Sequence, residues 1–166
     1  MFPTPIEARF IRIQPVGWNN HISLRFEILK CKGICLEDWN YHDDSCYYVN
    51  TTSMLFDEAT TMCESMGATL TSIHTQAEQN FVVSIASGNA VWIGLNDVIQ
   101  EGVYEWLDGT QVSYFYWSTS SGQPNNALGG QDCVQVLSTG GWADEKCLTY
   151  ESGGLVCKKR AHQTIN

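Results

Sequence analysis

The segment 122–147 begins Gly122-Gln123-Pro124-Asn125-Asn126, continues through Gln131-Asp132-Cys133, and ends Trp142-Ala143-Asp144-Glu145-Lys146-Cys147. The Asp, Asn and Gln side chains carry oxygen atoms of the kind that a hard cation such as calcium coordinates. The same groups donate and accept hydrogen bonds, as the hydroxyls of a sugar require. The pattern predicts that a loop in this segment binds a polar ligand.

The composition of the chain excludes several classes of partner. The formal net charge of -9 over 166 residues argues against binding to nucleic acid or to an anionic membrane surface. No apolar run approaches the ~20 residues that span a bilayer. The seven cysteines favour an oxidising compartment, so we expect a secreted, extracellular protein. The alternative reading of the cysteines, a zinc site, lacks a CxxC pair.

Hydrophobic spacing predicts an α+β fold. A helix is expected over 54–66, and the capping box Thr75-Gln76-Ala77-Glu78 predicts a second helix that ends near residue 86. Short strand-like segments follow the helices. Before the helices, alternation of apolar and polar residues over 22–28 predicts one strand of a β-hairpin at 6–29.

The order of motifs from Cys35 to Lys158 resembles the C-type lectin-like domain in its long form. That resemblance implies two helices, short antiparallel sheets, a long ligand loop and the disulfides Cys35–Cys46, Cys63–Cys157 and Cys133–Cys147. The motifs that carry it are Cys46-Tyr47, Cys63, Trp92-Ile93-Gly94-Leu95-Asn96-Asp97, Trp106-Leu107-Asp108-Gly109, Gln123-Pro124-Asn125, Asp132-Cys133, Trp142-Ala143-Asp144, Cys147 and Cys157.

The N-terminal segment has a second resemblance. The stretches 8–15, 18–25 and 27–31 are similar to the last strands of a discoidin (coagulation factor 5/8 type C) domain. We therefore divide the chain into a discoidin-like fragment, 1–31, and a C-type lectin-like domain, 32–166. Cys31 has no partner in the implied disulfide set. A homodimer formed through Cys31 or through the hairpin is expected, and burial of Cys31 as a small apolar residue is the alternative.

In the family, sugars are held through a bound calcium ion, and the resemblance places four residues of this chain at that site: Gln123, Asn125, Gln131 and Asp144. The family pattern has an acid where Gln131 stands and an asparagine where Ala143 stands. Calcium affinity falls with the number of charged ligands. The sugar-site calcium is therefore expected to be weakened or lost. The family loop also implies a cis peptide bond between Gln123 and Pro124.

A second cation position of the family pattern retains its acidic residues in this sequence. The resemblance aligns Asp97, Glu101 and Asp132 with the auxiliary calcium site of the family, with Asn126 and a Gln131 oxygen completing the set. Three carboxylates form a credible calcium site. The alternative is that these acids only cap turns in their loops.

These observations favour a lectin that binds carbohydrate, on microbial surfaces and in innate immunity, with calcium as its cofactor. The alternative is a lectin-like module that binds protein and no sugar. The chain contains no GxSxG, HExxH or P-loop motif, so we do not expect an enzyme.

Overall fold

The computed structural model describes residues 32–148 and 153–164. Within these ranges the chain has two helices, a mixed sheet and three disulfides. The expected α+β fold is confirmed. The hairpin at 6–29, the discoidin-like fragment 1–31 and Cys31 lie outside the described residues.

Both predicted helices are present. Helix α1 spans Phe56–Ser65 and helix α2 spans Gln76–Ala86. The Thr75 hydroxyl caps α2 by accepting the backbone N–H of Glu78 at 3.1 Å, which is half of the predicted capping box. The Glu78 carboxylate turns away from Thr75 and accepts the backbone N–H of His74 at 2.8 Å.

The sheet is mixed. Eight strands pair in one sheet along the order β2-β3-β9-β5-β7-β8, with β4 beside β9 and β6 beside β5. Every pair is antiparallel except β5 with β9, and β1 pairs with β10 in a separate ribbon. The strands are β1 (Lys32–Ile34), β2 (Asn40–His42), β3 (Ser45–Asn50), β4 (Thr69–Leu70), β5 (Val91–Asn96), β6 (Glu105–Trp106), β7 (Cys133–Val136), β8 (Trp142–Glu145), β9 (Gly154–Arg160) and β10 (His162–Thr164).

Three tryptophans lie in the core. Trp92 and Trp142 are fully buried and Trp106 is nearly so. Trp92 donates its indole N–H to the Met54 carbonyl at 2.9 Å, and Trp142 donates to the Gln79 side chain at 2.7 Å. These bonds satisfy the polar edge of two large apolar rings, so each ring packs into the core without an unpaired donor.

The disulfides join the pairs that the resemblance implied. Cys63–Cys157 ties α1 to β9, Cys133–Cys147 closes the segment around β8, and Cys35–Cys46 links β3 to the chain just after β1. Each disulfide typically contributes about 2–4 kcal/mol by restricting the unfolded chain. The ligand loop, residues 122–132, leads directly into β7, so the Cys133–Cys147 disulfide lies at its base.

Candidate functional site

The strand register brings the predicted site residues to one end of the sheet. Asn96, the last residue of β5, pairs with Cys133, the first residue of β7. The backbone N–H of Asp97 then donates to the Asp132 carbonyl at 3.0 Å. Because Val134 of β7 pairs with Asp144 of β8, the Asp144 side chain joins the same region.

Asp144 holds the ligand loop from inside. It is 1% exposed, and both of its carboxylate oxygens accept the backbone N–H of Asn125, each at 3.0 Å. Its Oδ2 also accepts the backbone N–H of Asn126 at 2.6 Å. A buried carboxylate bonded to two amides fixes the direction of the chain after Pro124. Asp144 therefore positions the loop through these hydrogen bonds.

Gln131 also makes its bonds within the protein. Its side-chain oxygen accepts the backbone N–H of Ala127, and its amide nitrogen donates to the Glu145 carboxylate at 3.3 Å. Its own backbone N–H donates to the Asn126 side-chain oxygen at 3.1 Å. Gln131 thus connects the loop to β8. Ala143, beside Asp144 on that strand, is buried and brings no side-chain oxygen to the loop.

Gln123 and Asn125 flank a cis peptide bond at Pro124, as the resemblance implied. Asn125 is exposed, and its side-chain oxygen accepts the backbone N–H of Ala127 at 2.9 Å. The side-chain oxygen of Gln123 is buried and has no hydrogen-bond partner among the described residues. Buried acceptors are nearly always paired, so an orphaned one is a position where a water, an ion or a ligand supplies the donor or the charge.

Asp97 is the most strongly enclosed acid of the predicted auxiliary set, at 1% exposed. Its Oδ2 accepts the backbone N–H of Gly102 at 2.7 Å, while its Oδ1 has no partner within the described part of the chain. Burial raises the pKa of Asp97, and the charges of Asp132 and Asp144 raise it further. A carboxylate in this state favours a proton or a cation beside it.

Glu101 lies on the same acidic surface but is exposed to solvent. Its Oε2 accepts the side-chain N–H of Asn126 at 2.5 Å, which links the loop after β5 to the ligand loop. Its pKa is raised by desolvation and then by the charges of Asp97, Asp132 and Asp144. The four carboxylates therefore repel one another across the junction of the two loops.

The pKa of Tyr104 responds to the negative charges of the same four carboxylates. Burial raises it first, and the charges of all four acids raise it further. In residues 32–148 and 153–164, however, no three His, Cys, Asp or Glu side chains converge closely enough to enclose a metal ion. The structure brings the auxiliary residues into one neighbourhood without arranging them around one point.

Sequence reasoning missed Glu145 and Tyr104. Glu145 stands directly after Asp144, and alternation along β8 would have placed its side chain on the opposite face, away from Gln131. Tyr104 stands three residues after Glu101 and seven after Asp97, and that proximity was the available signal.

The fold and the loop together define a lectin-like binding module. A mixed sheet and two helices support two neighbouring loops, and these loops carry polar and acidic side chains at one end of the sheet. The chain belongs to the C-type lectin family, since the model of the lectin C-type domain matches residues 52–159.

Curated relatives are receptors and lectins. The low affinity immunoglobulin epsilon Fc receptor of Mus musculus is 37% identical over 142 residues, which cover 83% of this chain and 42% of that receptor. The hepatic lectin of Gallus gallus is 37% identical over 142 residues, which cover 84% of this chain and 67% of that lectin. The chain thus spans well under half of the receptor and about two thirds of the lectin.

A solved relative has the same fold over its whole length. The C-type carbohydrate-recognition domain of cow CD23, determined in the presence of a GlcNAc2Man3 oligosaccharide, superposes with a TM-score of 0.73 at 34% identity. The match covers 79% of this chain and 99% of that domain. Within the part of this chain that the structure describes, neither helix has the length and apolar character needed to cross a membrane.

Proposed function

We propose that this domain is a lectin that binds glycans through the turn at Gln123 and Asn125. The observation that carries the proposal is the buried side-chain oxygen of Gln123, which has no donor among the described residues. A sugar hydroxyl supplies such a donor. Since Asp144 already fixes the backbone of the turn, the two amides are presented on a loop that needs little ordering when ligand binds.

In this proposal the four sugar-site residues have different roles. Gln123 and Asn125 contact the sugar, whereas Gln131 and Asp144 hold the turn in position. Amides donate as well as accept, so the contacting pair matches vicinal hydroxyls without selecting one sugar. The relatives named as lectins, and the CD23 domain solved with an oligosaccharide, support glycans as the ligand class.

The test is a glycan array probed in calcium and in chelator with wild type, Gln123→Leu and the matched control Gln100→Leu. Gln100 is an exposed glutamine in the loop after β5. Losing one hydrogen bond of about 1 kcal/mol is expected to weaken glycan binding about fivefold in Gln123→Leu and not in the control. Equal binding by both variants, with unchanged melting temperatures, would remove Gln123 from the site.

We also propose that Asp97, Glu101, Asn126, Gln131 and Asp132 hold a calcium ion. Their carboxylate and amide oxygens are of the right kind for calcium. Two observations support a cation at this junction: the Oδ1 of Asp97 has no partner among the residues that the structure describes, and the acids repel one another. The side-chain oxygens of Asn126 and Gln131 each accept one hydrogen bond and retain a second lone pair. The ion would supply positive charge that joins the two loops.

Thermal unfolding with and without calcium tests the cation site through Asp97→Asn, with Glu64→Gln on α1 as the matched exposed acid. Calcium at 100 times its dissociation constant stabilises the folded state by about 2.7 kcal/mol. We expect Asp97→Asn to lose that stabilisation while remaining as stable as wild type in chelator, because one repelling charge is gone. A full calcium response in Asp97→Asn would refute the assignment.

The second candidate function is protein recognition without sugar. The loops that flank the acids each expose a large apolar side chain: Ile99 is 80% exposed and Leu128 is 97% exposed. The bond between Glu101 and Asn126 holds these loops side by side. Apolar side chains at a binding face are typical of protein interfaces. A wild-type protein silent on the array in both conditions would favour this function over glycan binding.

The cellular setting of the domain is proposed from its chemistry. Three disulfides among the described residues fit an oxidising, extracellular compartment, and a secreted lectin fits a role in innate immunity on microbial surfaces. A division of the chain at residue 31 and a homodimer through Cys31 or the N-terminal hairpin belong to the same proposal. Pairing two sites would raise avidity on a repetitive surface.

A further inference from the structure

A cleft lies beside the ligand loop, and Asp97, Glu101, Asp132 and Asp144 are not among the residues that line it. It runs between the segment 115–120 and the turn 139–141, and its volume is about 570 Å³. Two partly exposed aromatic residues line it, Phe115 at 47% and Tyr116 at 43% exposed. The exposed residues Thr119 and Thr139 line it as well, and each carries a hydroxyl. The cleft thus combines aromatic surface with hydrogen-bonding groups.

The lining of this cleft is uncharged. None of the eight residues that line it in the described part of the chain is Asp, Glu, Lys, Arg or His. An ion or a charged peptide side chain entering the cleft would lose hydration without meeting an opposite charge. The chemistry therefore selects a neutral ligand that is apolar on one side and rich in hydroxyls at its edge. A pyranose ring has both properties.

The walls of the cleft are held by backbone bonds. The Ser118 N–H donates to the Trp142 carbonyl at 2.8 Å, and the Trp142 N–H donates to the Tyr116 carbonyl at 2.8 Å. Gly141 packs so closely that a Cβ added to it would lie 2.8 Å from the Cβ of Ser118. Because these contacts already fix both walls, ordering the walls would subtract little from the free energy of ligand binding.

Each of the two exposed rings packs against at least one neighbouring aromatic ring. Tyr116 stacks on Tyr114 with centroids 6.4 Å apart and an interplanar angle of 5°. Phe115 packs against Trp117 with centroids 5.9 Å apart and against Tyr104 at 6.3 Å. Rings held in this way keep their orientation while a large part of each remains in water, as a stacking surface requires.

We propose that this cleft is a second pyranose site that works without calcium. The inference rests on the proposed glycan-binding function and adds a subsite to it. The backbone N–H of Gln123 donates to the Ser118 carbonyl at 3.1 Å, so the first residue of the proposed sugar turn is attached to a wall of the cleft. The cleft wall and the proposed sugar turn therefore belong to one continuous, hydrogen-bonded stretch of backbone.

The test is a titration of the full chain, labelled with nitrogen-15, in chelator. The probes are the methyl pyranosides of glucose, mannose, galactose, N-acetylglucosamine and fucose. We expect at least one probe to shift the amide resonances of 115–120 and 139–141. Tyr116→Ala should weaken that binding about tenfold and Thr139→Val about threefold. Thr61→Val, an exposed threonine on α1, is the matched control and should bind as wild type.

Two results would overturn the second site: no shift in the cleft with any of the five probes, or shifts that persist unchanged in Tyr116→Ala. Gln123→Leu separates this proposal from the main one. If Gln123→Leu loses array binding and no probe shifts the cleft, only the second site fails. If the array is silent but cleft shifts appear and vanish in Tyr116→Ala, the second site stands and the proposed function at Gln123 fails.

Discussion

Replacing Asp144 by asparagine tests whether this side chain holds the ligand loop. Asp144 is buried and bonds the backbone N–H groups of Asn125 and Asn126. Asparagine has the same shape, and its oxygen can take the place of Oδ2, which contacts both amides. The Asp144→Asn variant loses the charge and also the second acceptor, because its side-chain nitrogen is a donor and would face the Asn125 N–H that Oδ1 accepts. The part of the loss that comes from the charge follows from hydrogen-bond energies. A hydrogen bond to a charged group contributes about 1.5–3 kcal/mol and a neutral one about 0.5–1.5 kcal/mol.

The loss is therefore about 1 kcal/mol for each of the two amides, or about 2 kcal/mol for the loop. Since 1.4 kcal/mol corresponds to a factor of ten in an equilibrium constant, the equilibrium constant for local opening of the ligand loop should rise about 30-fold. The global melting temperature is a poor measure of this change, because the variant also removes a charge that repels Asp97. The informative assay is hydrogen exchange at the amides of Asn125 and Asn126, measured in chelator.

Glu145→Gln is the matched control. It removes the same unit of charge one residue away, and its contact with the loop is a single 3.3 Å bond from the side chain of Gln131. We expect exchange at Asn125 and Asn126 to change less than about threefold in this control. If the two amides exchange at the wild-type rate in Asp144→Asn, the loop is held by other contacts and the reasoning about Asp144 is wrong.

The remaining predictions concern the Glu78 network and Cys31. Burial would raise the pKa of Glu78, but bonds from Lys158, Tyr47 and the His74 amide outweigh it and lower the pKa below 4.5. This stabilisation of the folded state is complete at pH values above the pKa of Glu78 in the unfolded chain, and it is lost as the pH falls through the pKa of Glu78 in the folded state. In urea unfolding, the free energy of unfolding of Glu78→Gln should therefore fall less at acid pH than that of wild type. Lys158→Met leaves Glu78 buried without its 2.5 Å ion pair and should cost about 3–5 kcal/mol in urea unfolding at pH 7. On non-reducing gels, Cys31→Ser should abolish a wild-type dimer band; a monomer in both would refute the Cys31 link.

The fold was predictable because its signals are local or carried by ordered motifs. The Thr75 cap and the apolar spacing of both helices can be recognised within a few residues, and the structure contains both helices. The parallel pairing of β5 with β9 was not predicted, because these strands are some 60 residues apart in sequence and only tertiary packing brings them together. The same limit applies to Glu78, whose carboxylate bonds Tyr47 and Lys158 from distant strands.

The residues of the candidate site were easier to predict than the direction of their side chains. Sequence placed Asp144 and Gln131 at a ligand face, and the structure turns both toward the loop backbone. The loop backbone to which they bond includes positive φ angles at Asn126 and Leu128. Neither asparagine nor leucine at these positions signals that conformation strongly enough to predict it from sequence.

The hydrogen bonds of the loop bear on how calcium and sugar would influence each other. Where one ion coordinates both the loop and the sugar, removing the ion removes the site. Here Asp144 supports the ligand loop through backbone amides. The proposed calcium ligands Asn126 and Gln131 belong to that loop, so an ion would contact it, whereas the Asp97 oxygen without a partner among the described residues lies in the loop after β5. A ligand alters the affinity of another only as far as it favours one conformation of the shared structure. Because the turn at Gln123 is already fixed by protein contacts, calcium at Asp97 has little conformational change to impose on it, and the two proposed equilibria should be only weakly coupled.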